Sequence, residues 1–568
     1  MSLSETEAGS GPEPVVGAPA PPPSPPLPSP PPRSELPPRI LIIGAGSRGR
    51  GYAECVVSSS NGVVAAVAEP DDYKRRRLGR RFVWGTASPP PEGAEFSSWT
   101  DFVAYEADRR RRASRGDAVP PGVDAVFVCV LDEMHRDVVV ALAGLGGLHV
   151  MCEKPLATTL DDCVAMYRAL RAPQATGAVF SIGHVLRYSP HNMLLRRLLL
   201  EDRVIGDVLS VNHTEPIGWW HYTHSYVRGN WRRESTTAPS LLTKSCHDLD
   251  VLLWLLCSPP SYTDAAARPH PPSTVSSSGA LNFFRRARKP LAAGAATNCL
   301  SCPVEADCKY SAKKVYVGRE LRGLGAGNTR WPVNVVVPDI EELAREGPAR
   351  GEEAILARLA EDYDDRTPDD AVAARNWFGR CVFESDNDVC DDQVVVMTWE
   401  DDPQPPLPPP APPAKGAVRT GIAPTADALG HRGAKTATFH MVAHTKKLCD
   451  RYTYLYGVDG EIHADSFTIT VEDFRTGKTT VHRPKVESHG HGGGDVGLVR
   501  QFVLAVDKAK NHGWTADQAQ REFVGCTLEE IIRSHAMVFC AEEARHSKTV
   551  IDWADWWRQN VEVKLGGG

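Results

Sequence analysis

The sequence predicts an α/β protein in two parts: an N-terminal doubly wound parallel sheet and a C-terminal α/β domain with a large, mostly antiparallel open sheet. Three observations carry this. A short apolar run, Ile40 to Ile43, leads into Gly44, Gly46 and Gly49, spaced G-x-G-x-x-G, and then into a helical segment. Further apolar runs alternate with helical segments up to about His184, as a βαβ series does. Beyond that point strand-like stretches recur with turn residues between them, which reads as an antiparallel sheet.

Length and composition set the frame. A chain of 568 residues holds two or three domains, each with its own core. The net charge of −7 and pI near 6.3 give no reason to expect nucleic acid or an anionic membrane as a partner. No apolar stretch approaches the roughly 20 residues needed to span a bilayer. The opening MSLSETEAGSG lacks the basic and apolar regions of a secretory signal. The 14 cysteines are scattered mostly inside apolar elements, which suits reduced thiols better than a disulfide framework. The expected compartment is the cytoplasm.

Residues 1–38 are dominated by Pro, Ser, Gly and Ala and cannot bury enough apolar area to offset their ordering entropy. They read as a disordered tail, a plain spacer rather than an SH3-type ligand. From Arg39 the glycine motif takes over, and each glycine has a physical task. Gly44 allows the tight turn, Gly46 lets backbone approach a pyrophosphate, and Gly49 lets helix pack on strand, which is the Rossmann arrangement. Ser47 and Arg48 lie in the loop, where the helix N-terminus offers unpaired N–H groups to a phosphate. A second strand-like run, Gly62 to Ala68, ends at Glu69, 20 residues beyond Gly49, where a carboxylate suits ribose hydroxyls. That carboxylate repels a 2′-phosphate and argues for NAD. Lys74, Arg75, Arg76 and Arg77 follow closely and would favour NADP if they face the cofactor rather than solvent.

Between Trp84 and Gly122 the PPP and RRRR runs read as surface insertions. Val123 to Val130 is the next buried strand, and His135 opens the helix after it. Leu148 to Met151 is a short strand with Glu153, Lys154 and Pro155 at its carboxyl end, and Ala178 to His184 closes the sheet. Ligands of open α/β sheets lie beyond the carboxyl ends of the strands, so these junctions should line one crevice.

After His184 come a helix from Pro190 to Leu200, a strand from Asp207 to Asn212, and an aromatic, histidine-rich loop from Trp219 to Arg233. A helix with an apolar face follows over about Ser245 to Leu256, and residues 258–290 read as a Pro, Ser and Ala-rich loop. Strands are expected at VVVMTWE, TATFHMVAH, RYTYLYG, GEIHAD and TITVEDF, with a proline-rich linker over 401–418 between the first two. Val499 to Asp507 and Leu528 to Arg545 read as closing helices. The expected division is thus a tail over 1–38, a Rossmann domain over 39–184, and a substrate-binding and oligomerisation domain over 185–560, with a cysteine-rich insertion at about 290–392.

GAGSRG after the first strand, Glu153-Lys154-Pro155 after a later one, and His247-x-x-Asp250 on a helix of the second domain resemble the glucose–fructose oxidoreductase/inositol dehydrogenase (Gfo/Idh/MocA) family. The resemblance spans roughly Arg39 to Trp553, and the Glu-Lys-Pro triplet is its most specific part. It implies a Rossmann domain, an open sheet covering the active site, homodimers or homotetramers, and NAD(P)-dependent oxidation or reduction at a carbinol of a sugar or cyclitol. It implies cofactor contacts from Gly44, Gly46, Ser47, Arg48, Gly49 and Glu69, joined by His135, Glu153 and Lys154.

The chemistry is consistent with this. Taking hydride from a secondary alcohol requires a group within hydrogen-bond reach to take the hydroxyl proton, while the nicotinamide performs the redox step. Lys154, held between a strand end and Pro155, is aimed at that junction, and burial would lower its pKa; by resemblance it orients the substrate oxygen and joins a proton relay. His247 takes the family position of the acid/base histidine, with an imidazole suited to proton exchange near neutral pH; the alternative is a core histidine. Asp250, three positions on, braces the helix or contacts substrate. Many members carry aspartate four residues before that histidine, where this chain has Thr243 followed by Lys244; one helical turn brings both near His247. In the aromatic loop, His221, His224, Tyr226, Arg228 and Asn230 would present donors and an aromatic face to a polyol, the alternative being an interdomain or subunit contact. His491 and Asp495, in SHGHGGGD, approach the same cleft.

Cys299, Cys302 and Cys308, spaced C-x2-C-x5-C, with Cys381 downstream, would complete a structural zinc site; the alternative is a loop with free thiols. The leading functional expectation is an NAD(P)-dependent dehydrogenase of a sugar, cyclitol or related polyol. Two competitors are an NAD-dependent glycosidase-like enzyme working by transient oxidation and elimination, and a non-catalytic NAD-sensing regulator.

Overall fold

The computed structural model describes residues 34–260, 268–402, 429–485 and 490–566. The expected tail lies outside these residues up to position 33, and the expected 401–418 linker lies outside them from position 403 on.

Six parallel strands form the first sheet: β1 (Arg39–Ile43), β2 (Val63–Ala68), β3 (Glu95–Phe96), β4 (Ala125–Val128), β5 (His149–Cys152) and β6 (Phe180–Ile182). Their spatial order is β3-β2-β1-β4-β5-β6, so the winding direction reverses between β1 and β4, where an open α/β sheet leaves a crevice. β4 is buried throughout, and β1 from its second residue on, which is why both read as continuous apolar runs without alternation. The turn from β1 into helix α1 (Ser47–Ser59) depends on its glycines. Gly44 has φ +94°, a left-handed backbone, and a Cβ on Gly49 would stand 1.9 Å from the Gly44 carbonyl oxygen. A Cβ on Gly46 would meet nothing within 4 Å, leaving that backbone face open.

Helix α2 (Asp72–Phe82) follows β2. The Trp84–Gly122 stretch is not an insertion: it supplies β3 and helix α3 (Trp99–Ser114), whose Phe102 ring meets Phe96 at 5.4 Å. The basic run disguised this helix, because Arg109 and Arg110 both turn back to the buried Glu106. Helices α4 (His135–Leu145) and α5 (Leu160–Arg171) complete the layer.

The second sheet has nine strands: β7 (Val208–Gly218), β8 (Thr274–Ala280), β9 (Asp392–Trp399), β10 (Lys435–Thr445), β11 (Tyr452–Gly457), β12 (Gly460–Ala464), β13 (Ile469–Asp473), β14 (Lys478–His482) and β15 (Ile551–Asp552). Their order is β14-β13-β12-β11-β7-β10-β9-β8-β15, with β7 and β10 parallel and the other described pairs antiparallel. β8 falls in the stretch expected to be a loop. Its TVSSSGA has a single large apolar residue, the buried Val275, and its pairing with β9 makes the strand.

Between β8 and β9 the cysteine-rich segment folds into short helices around a small core of its own, built from residues such as Val315, Tyr316, Val333, Ile340, Leu359 and Phe378, with Trp220 completing it. The closing helices do not stay in the second domain. Helix Gly494–Asn511 returns to the first sheet, where Phe502 meets Phe127 of β4 at 5.4 Å. Helix Leu528–Ser547 starts with a capping box of Thr527 and Glu530 and shares the main core with helix Cys246–Leu256. One hydrophobic cluster therefore spans both domains and fixes the crevice between them. Among the described residues no helix is long and apolar enough to cross a membrane.

Gly49→Ala is expected to lower the melting temperature by several degrees, because backbone must give way, whereas Gly46→Ala leaves it unchanged; differential scanning calorimetry of the two variants checks this.

Candidate active site

A cavity of about 1870 Å³ runs along the carboxyl ends of the first sheet, bounded by the glycine loop, helix Cys246–Leu256, β7 and the insertion. At one end it is lined by Gly44, Gly46, Ser47, Arg48 and Glu69. The Glu69 carboxylate accepts the N–H of Ala45 at 2.7 Å and of Asp71 at 3.0 Å, which holds it beside the glycine turn. The open face of Gly46, the α1 N-terminus and this carboxylate together fit a nicotinamide dinucleotide: phosphates on the loop, ribose hydroxyls on Glu69. Each residue of the basic run behind it is paired with a carboxylate. Lys74 meets Asp71 at 3.6 Å, Arg75 meets Glu95 at 2.9 Å, Arg76 meets Asp72 at 3.1 Å, and Arg77 pairs with Glu341 of the insertion. Gly49 and His135 do not reach the cavity. Gly49 packs helix on strand, and His135 lies beneath the Glu-Lys-Pro turn.

Arg48 ties this end to the rest. Its Nε donates to Glu153 Oε1 at 2.7 Å and its Nη2 to Asp495 Oδ1 at 2.9 Å, while the Tyr52 hydroxyl also donates to Glu153. Burial pushes the Glu153 carboxyl up, yet Arg48 and Tyr52 outweigh it and hold it below the usual range. Asp495 is likewise lowered: burial is outweighed by Arg48 and then His491, whose Nδ1 is 3.0 Å away.

At the middle of the cavity Lys154 Nζ donates to the Thr243 carbonyl at 2.5 Å. The turn that aims it is gripped on both sides. His135 Nδ1 lies 2.7 Å from the Pro155 carbonyl, and the Leu156 N–H donates to His535 Nε2 at 2.8 Å. His535 Nδ1 in turn donates to the Ile531 carbonyl at 2.8 Å, so this imidazole is neutral, and burial lowers its pKa to about 3.

His247 stands in the first turn of helix Cys246–Leu256 and lines the same cavity as Lys154. Its Nε2 lies 2.7 Å from Arg451 Nη2 and 3.3 Å from Asp248 Oδ2, while Nδ1 is buried without a partner. Burial, reinforced by Arg451 and Lys154 and opposed by Asp248, holds its pKa well below the ordinary histidine value. The ring is neutral at neutral pH and able to take a proton. Beneath it is a buried charge cluster. Glu215 accepts Arg451 at 2.6 Å, Ser245 at 2.6 Å and Lys244 at 2.7 Å; Asp248 accepts His213 at 3.0 Å and also pairs with Arg451. Glu215, His247 and Asp248 present atoms close enough for a metal, but Arg451 and Lys244 already neutralise both carboxylates.

The remaining sequence candidates divide. Lys244, His221, His224, Tyr226, Asn230, His491 and Asp495 line the cavity. Thr243 is buried, offering its carbonyl to Lys154, and the carboxylates nearest His247 come from Asp248 and Glu215 instead. Asp250 points into the protein, bonded to Arg187 at 2.7 and 2.8 Å, and braces the helix. Arg228, 1 % exposed, faces the insertion: it donates to the carbonyls of Arg380 at 2.7 Å and Tyr310 at 2.8 Å and to Cys299 Sγ at 3.4 Å. Of the segment expected to be a loop, Trp219–Tyr222 form a helical turn that runs into a wider π turn, Thr223–Val227, and residues 228–233 are irregular. Its residues therefore alternate between cavity and insertion.

Cys299, Cys302, Cys308 and Cys381 are free thiols. Among the described residues they are absent from the groups of three or more ligand atoms within 4.8 Å of one another, whereas thiolates about 2.3 Å from one zinc stand roughly 4 Å apart. Their arrangement does not fit a four-cysteine zinc site. Residues the sequence reading missed are Glu215, Asp248, Arg451 and Trp331. Two had visible signals: Asp248 adjoins His247, and Glu215 is a carboxylate among apolar residues of β7.

Residues 38–184 match the GFO_IDH_MocA model, described as oxidoreductase family, NAD-binding Rossmann fold. Residues 197–279 match GFO_IDH_MocA_C, oxidoreductase family, C-terminal alpha/beta domain. The chain is 31% identical over 134 residues to 2,7-anhydro-N-acetylneuraminate hydratase of Escherichia coli K12, covering 24% of this chain and 34% of that protein. It is 34% identical over 143 residues to 1,5-anhydro-D-fructose reductase of Ensifer adhaerens, covering 25% and 40%. The matched part is thus well under half the length of these relatives. Levoglucosan dehydrogenase in complex with NADH and levoglucosan shares the fold with a TM-score of 0.51 at 13% identity, over 91% of this chain and 99% of that one. An oxidoreductase from Agrobacterium radiobacter, in complex with NAD+, L-tartaric acid and magnesium, gives 0.50 at 12% identity over 91% and 98%.

The buried imidazoles make stability depend on acid. Burial lowers His149 to about 4, and His224 and His535 to about 3, whereas the unfolded chain protonates near pH 6.5. Their contribution is full above about pH 6.5 and lost as pH falls toward 3–4, by roughly 1.4 kcal/mol per pH unit for each ring. The urea midpoint is expected to fall steeply between about pH 6.5 and 4.5, and less steeply in His535→Gln, whose amide oxygen still accepts the Leu156 N–H.

Proposed function

We propose that this chain, which carries the Rossmann and C-terminal domains matched by the Gfo/Idh/MocA oxidoreductase models, is an NAD-dependent oxidoreductase acting on a secondary alcohol or carbonyl of a sugar, cyclitol or related polyol. The observation that supports it most directly is convergence: Lys154, His247 and the glycine loop line one cavity although they come from different domains. Bound nicotinamide supplies the hydride acceptor or donor. Lys154 donates a hydrogen bond to the substrate oxygen and fixes the carbinol. His247 is the group placed to exchange the hydroxyl proton, and the Asp248 carboxylate, 3.3 Å from its Nε2, steadies the imidazolium that results. The 14 free cysteines support a reducing compartment, the cytoplasm.

A second reading is favoured by one contact. Glu341 of the insertion pairs with Arg77 and lies 3.6 Å from Arg50, both of the Rossmann domain and both lining the cavity, so the insertion is pinned across the dinucleotide end. A cofactor retained beneath it would suit redox-neutral turnover, as the similarity to a hydratase also suggests. Product formation without net NADH absorbance identifies that mode; absorbance growing with product identifies the dehydrogenase.

Lys154→Met is expected to cut turnover by about 10²–10⁴-fold while NAD binding, followed by fluorescence titration, changes less than about threefold. Activity within tenfold of wild type would remove Lys154 from the chemistry. Glu69→Ser is expected to erode the preference for NAD over NADP by about tenfold or more in kcat/KM.

We also propose a homodimer through the outer face of the nine-stranded sheet, where Leu209, Tyr452, Tyr454 and Tyr456 are exposed side by side on β7 and β11. Three tyrosines at alternate positions of β11, with Leu209 at the irregularity of β7 beside them, suit an isologous contact with a second copy. Tyr454→Glu should halve the mass seen by light scattering; an unchanged mass removes this face.

A further inference from the structure

We infer that the insertion builds a second substrate subsite beside Lys154 and His247, so that the substrate is a glycoside carrying a second sugar ring rather than a free monosaccharide. The inference rests on the polyol reading above and names the class of substrate that site takes. Trp331 and Asn334 belong to the insertion, yet they line the same cavity as Lys154, His247, His221 and His224. Trp331 is held by aromatic neighbours: the His221 ring meets it edge-on at 4.9 Å and 81°, the His224 ring at 5.4 Å and 82°, and Trp220 at 5.3 Å. Burial keeps both imidazoles uncharged, His224 down to about 3 and His221 well below its ordinary value. The Trp331, His221 and His224 rings make an aromatic, uncharged surface that suits the C–H face of a pyranose.

Two orphan groups give this wall polarity. Asn230 Nδ2 and Asn334 Oδ1 are buried and lack partners, and both residues line the cavity. One is a donor and the other an acceptor. Buried groups left unpaired cost stability, and a sugar hydroxyl, which both donates and accepts, satisfies either one once its amide turns toward the cavity. Two arginines of the insertion also line the cavity: Arg375 is paired with Glu361 and lies 4.5 Å over the Trp377 ring, and Arg322 is exposed to solvent. The cavity of about 1870 Å³, roughly twice the upper end of an ordinary ligand pocket, accommodates the dinucleotide at one end and leaves room for two sugar rings at the other. The wall is also fixed in place, because the insertion has its own core and Arg228 clasps it at two carbonyls.

Isothermal titration of the NAD-loaded full chain with cellobiose, maltose and lactose, against glucose, galactose and myo-inositol, tests this. At least one disaccharide is expected to bind tenfold or more tighter than its component monosaccharides. Trp331→Ala should remove that advantage while monosaccharide binding changes less than twofold, and Trp331→Phe should restore most of it. Asn334→Leu, which keeps the volume and removes the acceptor, should weaken the disaccharide selectively. Equal affinity for both classes, no binding by any disaccharide, or equal losses for both classes in Trp331→Ala would each overturn the subsite. Failure of the oxidoreductase reading has a different signature: disaccharide binding intact, with neither NADH nor altered sugar formed.

Discussion

The arrangement depends first on the pairing of two buried carboxylates, Glu215 and Asp248, with the Arg451 guanidinium. Glu215 comes from β7, Asp248 from helix Cys246–Leu256 and Arg451 from the residue before β11, so three elements meet only because these charges do. Both carboxylates are fully buried, where an unpaired charge costs several kcal/mol. With Lys244 added, two anions face two cations, and removing any one leaves an uncompensated charge. The energetic value of such a cluster relative to apolar packing is small, but its geometry is demanding. It places one imidazole, His247, with one nitrogen over the cluster and the other left for chemistry.

A separate set of contacts places the lysine. The peptide group between Pro155 and Leu156 is held at its carbonyl by His135 of α4 and at its N–H by His535 of a closing helix. Glu153, just before, is held by Arg48 and Tyr52, and Arg48 reaches on to Asp495 in the closing helix that covers the first sheet. The lysine is thus positioned from both domains at once. The two networks converge where Lys154 meets the Thr243 carbonyl, one turn ahead of His247.

This explains what was legible in sequence. The glycine turn and Glu69 are local, and the physics that requires them acts within a few residues, so spacing revealed them; the Glu-Lys-Pro triplet stood out by its family resemblance. The helix bearing His247 was visible by its apolar face. Arg451 was not, because its partners stand 236 and 203 positions away along the chain and nothing near it signals a buried charge. Trp84–Gly122 was misread because arginines that neutralise a buried glutamate look in sequence like a solvated surface run. β8 was missed because a serine-rich strand is made by its neighbour rather than by its own apolar period.

The aromatic segment after β7 shows why residue type alone cannot assign a role. Its donors all suited a polyol, yet the turn sends Arg228 into the insertion and His221, His224 and Asn230 toward the cavity. Arg228 satisfies carbonyls of Tyr310 and Arg380, and Tyr222 donates to the Cys390 carbonyl just before β9, so the segment is the hinge on which the insertion sits. The same few residues therefore set both the floor of the site and the position of its far wall. Trp220 couples the two directly, since it is part of the insertion's core and touches Trp331. A change that loosens the insertion must move the aromatic wall, and a change in the wall must disturb the insertion's core, so the fold of the inserted segment and the choice of substrate are not separable properties.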